Sequence, residues 1–155
     1  MRVIVVPPGE GKALTVSEGG DHLRMKVAGG DSDGTVAAFE YWAAPHAPGP
    51  SAHTHQGHEE FWYILEETLH MAVGDDVVAA APGTAVFVPR GVSHTFWNEG
   101  DRPCKFMAVF TPAGFEGIFE ELQRMLAGGT ELDAAAAQAF TRRWGMTVTG
   151  PPRQG

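Results

Sequence analysis

Apolar and polar positions alternate in short runs through the middle of the chain, and turn residues cut each run off. Residues 60–66 are aromatic and β-branched, and 68–73 continue in the same style before Gly74-Asp75-Asp76. Residues 77–81 follow, then Pro82-Gly83, 85–88, Pro89-Arg90-Gly91, 93–98, Glu99-Gly100-Asp101 and 104–110. Each run has the period of two that a half-buried strand requires, because successive strand side chains point to opposite faces. Upstream, residues 2–6 read as a strand stopped by Pro7-Pro8, with further strands at 22–28 and 36–43. Residues 45–51 form a proline-rich loop. Short strands at this spacing predict an antiparallel sandwich or barrel.

The period changes after Pro112. Phe115, Ile118, Phe119, Leu122, Met125 and Leu126 recur at three- and four-residue spacing, which is one face of a helix ended by Gly128-Gly129. Thr130 with Asp133 resembles a capping box opening a second helix, which runs through the alanine-rich segment to Trp144 and Gly145. Residues 150–155 read as a loose tail. The helical pair is expected to cover an open sheet edge or an end of the barrel, with a dimer contact as the alternative.

Composition sharpens this picture. Of 155 residues, 20 are glycine and 11 are proline while only 19% are charged, which suits many turns between short strands and an all-β core. The length fits a single domain over 1–155, with a barrel core at about 36–112 and helices at about 113–145. The net charge of −8 argues against nucleic acid and against anionic membrane surfaces, both of which call for clustered Lys and Arg. No apolar run approaches the roughly 18 residues of a membrane helix, and the short start before Pro7 does not resemble a signal peptide. A single cysteine, Cys104, excludes an internal disulfide framework. The expectation is a soluble, cytoplasmic protein.

Candidate chemistry lies in two segments. His53-Thr54-His55 puts two imidazoles on one face of a strand, Glu59 and Glu60 follow, and His94 lies on the run after Pro89-Arg90-Gly91. Three neutral imidazoles and a carboxylate suit one divalent Fe, Mn, Ni, Co, Cu or Zn ion, leaving two positions open on an octahedral ion. A closed structural zinc site favours Cys-rich ligation and is disfavoured. Spacing alone leaves the carboxylate open between Glu59 and Glu60. Parity puts Trp62 and Ile64 on the face of Glu60, and Phe96 and Asn98 on that of His94.

Gly83, Pro89, Gly91, His94 and Asn98 match every fixed position of G-x5-P-x-G-x2-H-x3-N, and His53, His55 and Glu60 match G-x5-H-x-H-x(3,4)-E-x6-G at its ligand positions. The chain thus resembles the cupin superfamily, in particular small quercetin dioxygenase-like members. It departs at both glycines of the first motif: Ala47 stands at the opening one, with Gly49 nearby, and Glu67 at the closing one. Glu67 therefore implies a non-standard turn.

The resemblance implies a jelly-roll β-barrel with the C-terminal helical pair, and a metal held by His53, His55, Glu60 and His94. It also selects Glu60 over Glu59, because the residues after this Glu in the family resemble Phe61 to Glu66. The function it implies is a dioxygenase acting on a small aromatic or enolic compound, with Glu60 accepting a substrate proton. Trp62, Ile64, Phe96 and Phe39 are the candidate pocket residues, and a homodimer is expected. A metal-dependent isomerase or polyketide-type cyclase is the alternative, and a non-catalytic small-molecule-binding cupin is a third reading. His22, His46, His58 and His70 are expected to be solvated rather than ligands. Cys104 is expected to be a buried small residue, and Asn98 to brace a turn.

Overall fold

The computed structural model describes residues 3–130 and 133–153. Among these residues eleven strands form two sheets, and two α-helices follow the tenth strand. The strands are β1 (Lys12–Thr15), β2 (His22–Val27), β3 (Ala37–Ala43), β4 (His53–His55), β5 (Glu59–Glu66) and β6 (Leu69–Val73), then β7 (Asp76–Ala80), β8 (Ala85–Val88), β9 (His94–Trp97), β10 (Cys104–Thr111) and, after the helices, β11 (Met146–Val148). One sheet has the order β1-β2-β3-β10-β5-β8, the other β11-β4-β9-β6-β7, and every pairing is antiparallel. This is an all-β jelly-roll barrel with a C-terminal helical pair.

The period of two decides which side chains fill the barrel. Ala37, Phe39, Tyr41 and Ala43 on β3 face inward, as do Cys104, Phe106, Ala108 and Phe110 on β10. The outward positions Glu40 and Lys105 pair at 3.0 Å across the two strands. Cys104 is fully buried and unpaired. The inner faces meet in one aromatic core, where the Trp62 and Phe106 rings stack at 4.8 Å and Phe96 meets Phe106 edge-on at 5.4 Å. Such pairs add about 0.5–1.5 kcal/mol each beyond area burial.

Two sequence expectations need correction. Residues 3–6 join no strand, and Val3 and Val5 are 90% and 80% exposed; Arg2 lies outside the described residues. The edge of β2 is taken instead by β1, in the register Lys12↔Met25 to Thr15↔His22. A ladder ending at Pro7-Pro8 lacks donors where it must turn, whereas β1 buries Leu14. The second correction concerns the helix start. Asp133 alone caps α2 (Ala134–Arg143), accepting the Ala136 N–H at 2.8 Å. Thr130 instead donates its N–H to Met125 O, closing α1 (Gly117–Ala127). One strand was not foreseen: β11 pairs with β4, Met146 opposite His55 and Val148 opposite His53. Residues 150–153 carry no regular element, and 154–155 lie outside the described residues.

The first helix covers a sheet edge, one of the two places expected for the helical pair. Lys12 pairs with Glu120 at 2.7 Å and the Thr15 N–H donates to Gln123 Oε1 at 2.9 Å, so α1 covers the exposed edge of β1. Its apolar stripe and Phe115 turn toward the barrel. Trp144, just past α2, donates to Glu121 at 2.8 Å and lies so close to Gly117 that a Cβ there would come within 2.6 Å of its ring. No helix among the described residues is long and apolar enough to cross a membrane.

Both irregular motif glycines have structural answers. Gly49 sits at φ +68, where a Cβ would fall 1.7 Å from Phe96 O, so the loop's obligatory glycine is two residues after the motif position. Glu67 takes φ +59 in the turn between β5 and β6, the left-handed conformation that glycine adopts more easily. Asn98, fully buried, donates to Ala43 O, Ala44 O and Arg102 O and accepts the Gly100 N–H at 2.9 Å, so it braces the chain as expected.

Candidate metal centre and its cavity

The pairing of β4 with β9 sets His53 directly opposite His94, and the period of two returns His55 to the same face. Across the barrel, β5 turns Glu60 inward at 3% exposure. Glu59, its neighbour, turns outward and pairs with Arg90 at 2.7 Å, which lowers its carboxyl pKa. The choice between the two carboxylates is therefore made by strand parity: Glu60 faces the imidazoles. One ligand atom from each of His53, His55, Glu60 and His94 lies within 4.8 Å of the others, and all four residues are buried.

Two of the three imidazoles are oriented by backbone carbonyls. His53 Nδ1 lies 2.6 Å from Ser51 O, and His94 Nδ1 lies 3.0 Å from Val92 O. Donation from Nδ1 leaves the Nε2 lone pair of each ring for the centre, the usual outer arrangement of a metal-ligating histidine. His55 Nε2 stands 3.0 Å from Glu60 Oε1, and His94 Nε2 3.5 Å from Oε2, yet neither nitrogen is aligned for a hydrogen bond. Buried polar nitrogens without a partner are rare and call for an explanation. A divalent ion held by these four side chains supplies one, and three imidazoles with a carboxylate form a donor set that suits it. The residues fit such an ion.

Electrostatics agree with a site built for charge. Burial pushes His53 down to about 4, assisted by the neighbouring His94. Burial also lowers His55, against the pull of Glu60. Burial would lower His94, but its contact with Glu60 and the Val92 carbonyl carry it upward. Burial would raise Glu60, but contacts with His55, His58 and His94 hold it well below the usual carboxylate range.

His58 is not the solvated residue expected. It is 6% exposed, its Nε2 lies 3.4 Å from Glu60 Oε1, and its ring lies 4.9 Å from both Phe110 and Phe115. Its place beside the cluster, in a turn between two buried strands, was the only signal for this. His22 and His46 are exposed as expected, His22 stacking on Trp42 and His46 contacting Asp101. His70 is half-buried against Trp97.

The cluster opens into a cavity of about 210 Å³ walled mainly by aromatic and aliphatic side chains. Phe39, Trp62 and Phe96 line it, as the sequence suggested. Ile64 does not: it is fully buried behind the wall, so sharing a strand face with Glu60 did not bring it to the cavity. Phe115, Ile118 and Phe119 close one side. Asp21 and Tyr41 also line it, and the sequence reading missed both. Asp21 follows a Gly19-Gly20 turn that reads only as surface; Tyr41 was legible as an inward position of β3.

Residues 41–110 match the family model described as the cupin domain. No curated protein matches the chain in sequence. Among solved structures, KdgF from Halomonas sp. is similar with a TM-score of 0.63 at 14% identity, covering 72% of this chain and 97% of its own. An RmlC-like cupin from Shewanella frigidimarina NCIMB 400 gives a TM-score of 0.59 at 21% identity over 70% and 90%. The polyketide cyclase RemF from Streptomyces resistomycificus gives 0.59 at 26% identity over 71% and 80%. Two sequence motifs, a jelly-roll barrel and the match over its central strands converge: the chain carries a cupin domain over residues 41–110.

Proposed function

We propose that the protein is a metal-dependent dioxygenase acting on a small aromatic or enolic compound. The observation that carries this reading is the opening of a buried cluster of His53, His55, Glu60 and His94 directly into an aromatic-walled cavity. The volume of about 210 Å³ is below the roughly 300–1,000 Å³ of sites for drug-sized ligands. It suits one or two rings. The bound ion would supply Lewis acidity and open positions for a substrate oxygen and O₂.

The chain's own residues then have separate tasks. His53 and His94 present Nε2 because their Nδ1 atoms are engaged by Ser51 O and Val92 O. Trp62 fixes Glu60 by donating its indole N–H to Oε2 at 2.8 Å. The other oxygen, Oε1, lies 3.0 Å from His55 Nε2 and 3.4 Å from His58 Nε2, and it is the one that takes a proton from a substrate hydroxyl as it binds. Phe96, Trp62 and Phe106 offer faces and edges against which a flat ring packs, and the aromatic wall excludes water from the reacting carbon.

A second reading is a non-oxidative polyketide-type cyclase or isomerase, favoured by the 26% identity to RemF over 71% of the chain. The cavity volume favours the first reading, since a multi-ring polyketide needs more room. Elemental analysis of the purified protein, followed by turnover of small phenols and diketones in air and under argon, separates them. Consumption of O₂ with turnover supports the dioxygenase. Equal turnover under argon supports the cyclase or isomerase. Metal binding without turnover in either gas supports a small-molecule-binding cupin. For assembly we propose a homodimer, supported by the exposed apolar outer face of β5 and β8, where Phe61, Tyr63, Leu65 and Phe87 lie together.

A further inference from the structure

The cavity holds a second polar feature outside the metal cluster. Asp21 is 4% exposed and lines the cavity from the turn between β1 and β2. Its backbone is fixed from both sides: its N–H donates to Ser17 Oγ at 3.0 Å and its carbonyl accepts the Val16 N–H at 2.9 Å. Its carboxylate takes one hydrogen bond on each oxygen, from the Ala44 N–H at 2.9 Å and from the Tyr41 hydroxyl at 2.9 Å. An ionised carboxylate offers about four acceptor positions, so two are spare. Among the described residues no Lys, Arg or His pairs with it. A buried carboxylate with spare acceptor positions is demanding unless a donor arrives.

Asp21 and Glu60 are joined along one wall by rings. Tyr41 meets Phe96 edge-on at 5.5 Å, Phe96 meets Trp62 at 5.1 Å, and Trp62 donates to Glu60. The same cavity thus offers a flat ring two polar partners, the metal cluster and Asp21. We propose that Asp21, held in place by Tyr41 and Ala44, is a substrate-binding residue that accepts a hydrogen bond from a second hydroxyl on the substrate ring, remote from the oxygen at the metal cluster. The substrate class is accordingly a dihydroxylated aromatic or its enol equivalent. This rests on the reading of the cavity as the binding site for small aromatic compounds.

The test is an NMR titration of the purified protein under argon with resorcinol and hydroquinone. Each is compared with its monomethyl ether, which keeps the ring and one hydroxyl but loses the second donor. A hydrogen bond to a charged acceptor corresponds to roughly tenfold or more in affinity. The expected result is that at least one diol binds the wild type about tenfold more tightly than its ether. Asp21→Asn should bring that ratio close to one while leaving the ether's affinity unchanged. Tyr41→Phe should keep the preference, because the carboxylate acceptor remains. A merely structural Asp21 would weaken diol and ether together in Asp21→Asn. That result, or equal binding of diol and ether by the wild type, overturns the inference and leaves the cavity reading intact. Absence of binding by all four compounds overturns the cavity reading and this inference with it.

Discussion

Trp62 donates its indole N–H to Glu60 Oε2 at 2.8 Å, from two residues further along the same inward face of β5. The pair links the cavity wall to the metal cluster: one ring both packs against Phe96 and Phe106 and orients the only carboxylate among the four candidate ligands. Trp62→Phe keeps most of the packing and deletes the donor. Loss of such an outer hydrogen bond typically lowers metal affinity about 10- to 100-fold. A chelator-competition titration should read a weakening of that order, with a folded barrel by circular dichroism.

His55→Ala and His94→Ala each remove a nitrogen that has no hydrogen-bond partner among the described residues. Both should abolish stoichiometric metal binding without unfolding the protein, as read by elemental analysis after dialysis. Glu60→Gln should weaken loading strongly. Glu59→Gln should leave it unchanged, because that side chain faces Arg90. Unaltered metal content in His94→Ala would remove the site as described.

The metal-free protein should lose stability in acid over a defined window. His53 titrates at about 4 in the fold, against an ordinary value of 6.5. Between these values the unfolded chain binds the extra proton, so stability falls as pH drops through the window, by about 3 kcal/mol in total for this residue. His55 is lowered too and acts in the same direction. His94 is raised, so its contribution is fully present below the unfolded value and is lost as pH rises through its folded one. Glu60 is depressed, and its contribution is lost only at still lower pH, as pH falls through its folded value. Urea unfolding across pH 4 to 6.5 should show the acid slope, and His53→Gln should flatten it.

Most of the strand segments were legible because the chain obeys a period of two wherever one face is buried. The runs that became β3, β5 and β10 alternate almost without exception. Glu60 could be chosen over Glu59 by a family resemblance, and parity within β5 gives the same choice physically. What was not legible lies where local pattern and tertiary position part company. Lys12–Thr15 carries a single inward leucine, too little signal for a strand, and pairs because β2 offers it an edge. Met146–Val148 is a three-residue strand that exists because β4 lies beside it. Ile64 has the parity of a pocket residue but sits too deep, and Asp21 reaches the cavity through a turn whose composition says only surface.

Glu67 offers the clearest trade between motif and backbone. The family pattern has glycine at this turn, and here a glutamate takes φ +59. A left-handed residue with a Cβ is disfavoured by roughly 1–2 kcal/mol. Its carboxylate contacts Arg102 at 2.5 Å, but that arginine side chain is 76% exposed, and exposed pairs contribute only about 0–1 kcal/mol. The backbone term is the larger of the two. Glu67→Gly gives back some unfolded-state entropy, so the net gain should be a fraction of the strain, on the order of 0.5–1 kcal/mol. In a chain of this size that corresponds to a rise of roughly 1–4 °C in Tm. Scanning calorimetry of Glu67→Gly beside Arg102→Ala separates the contributions. The first should raise Tm and the second should leave it nearly unchanged. A fall in Tm for both variants would show instead that the ion pair, rather than the backbone, decides the turn.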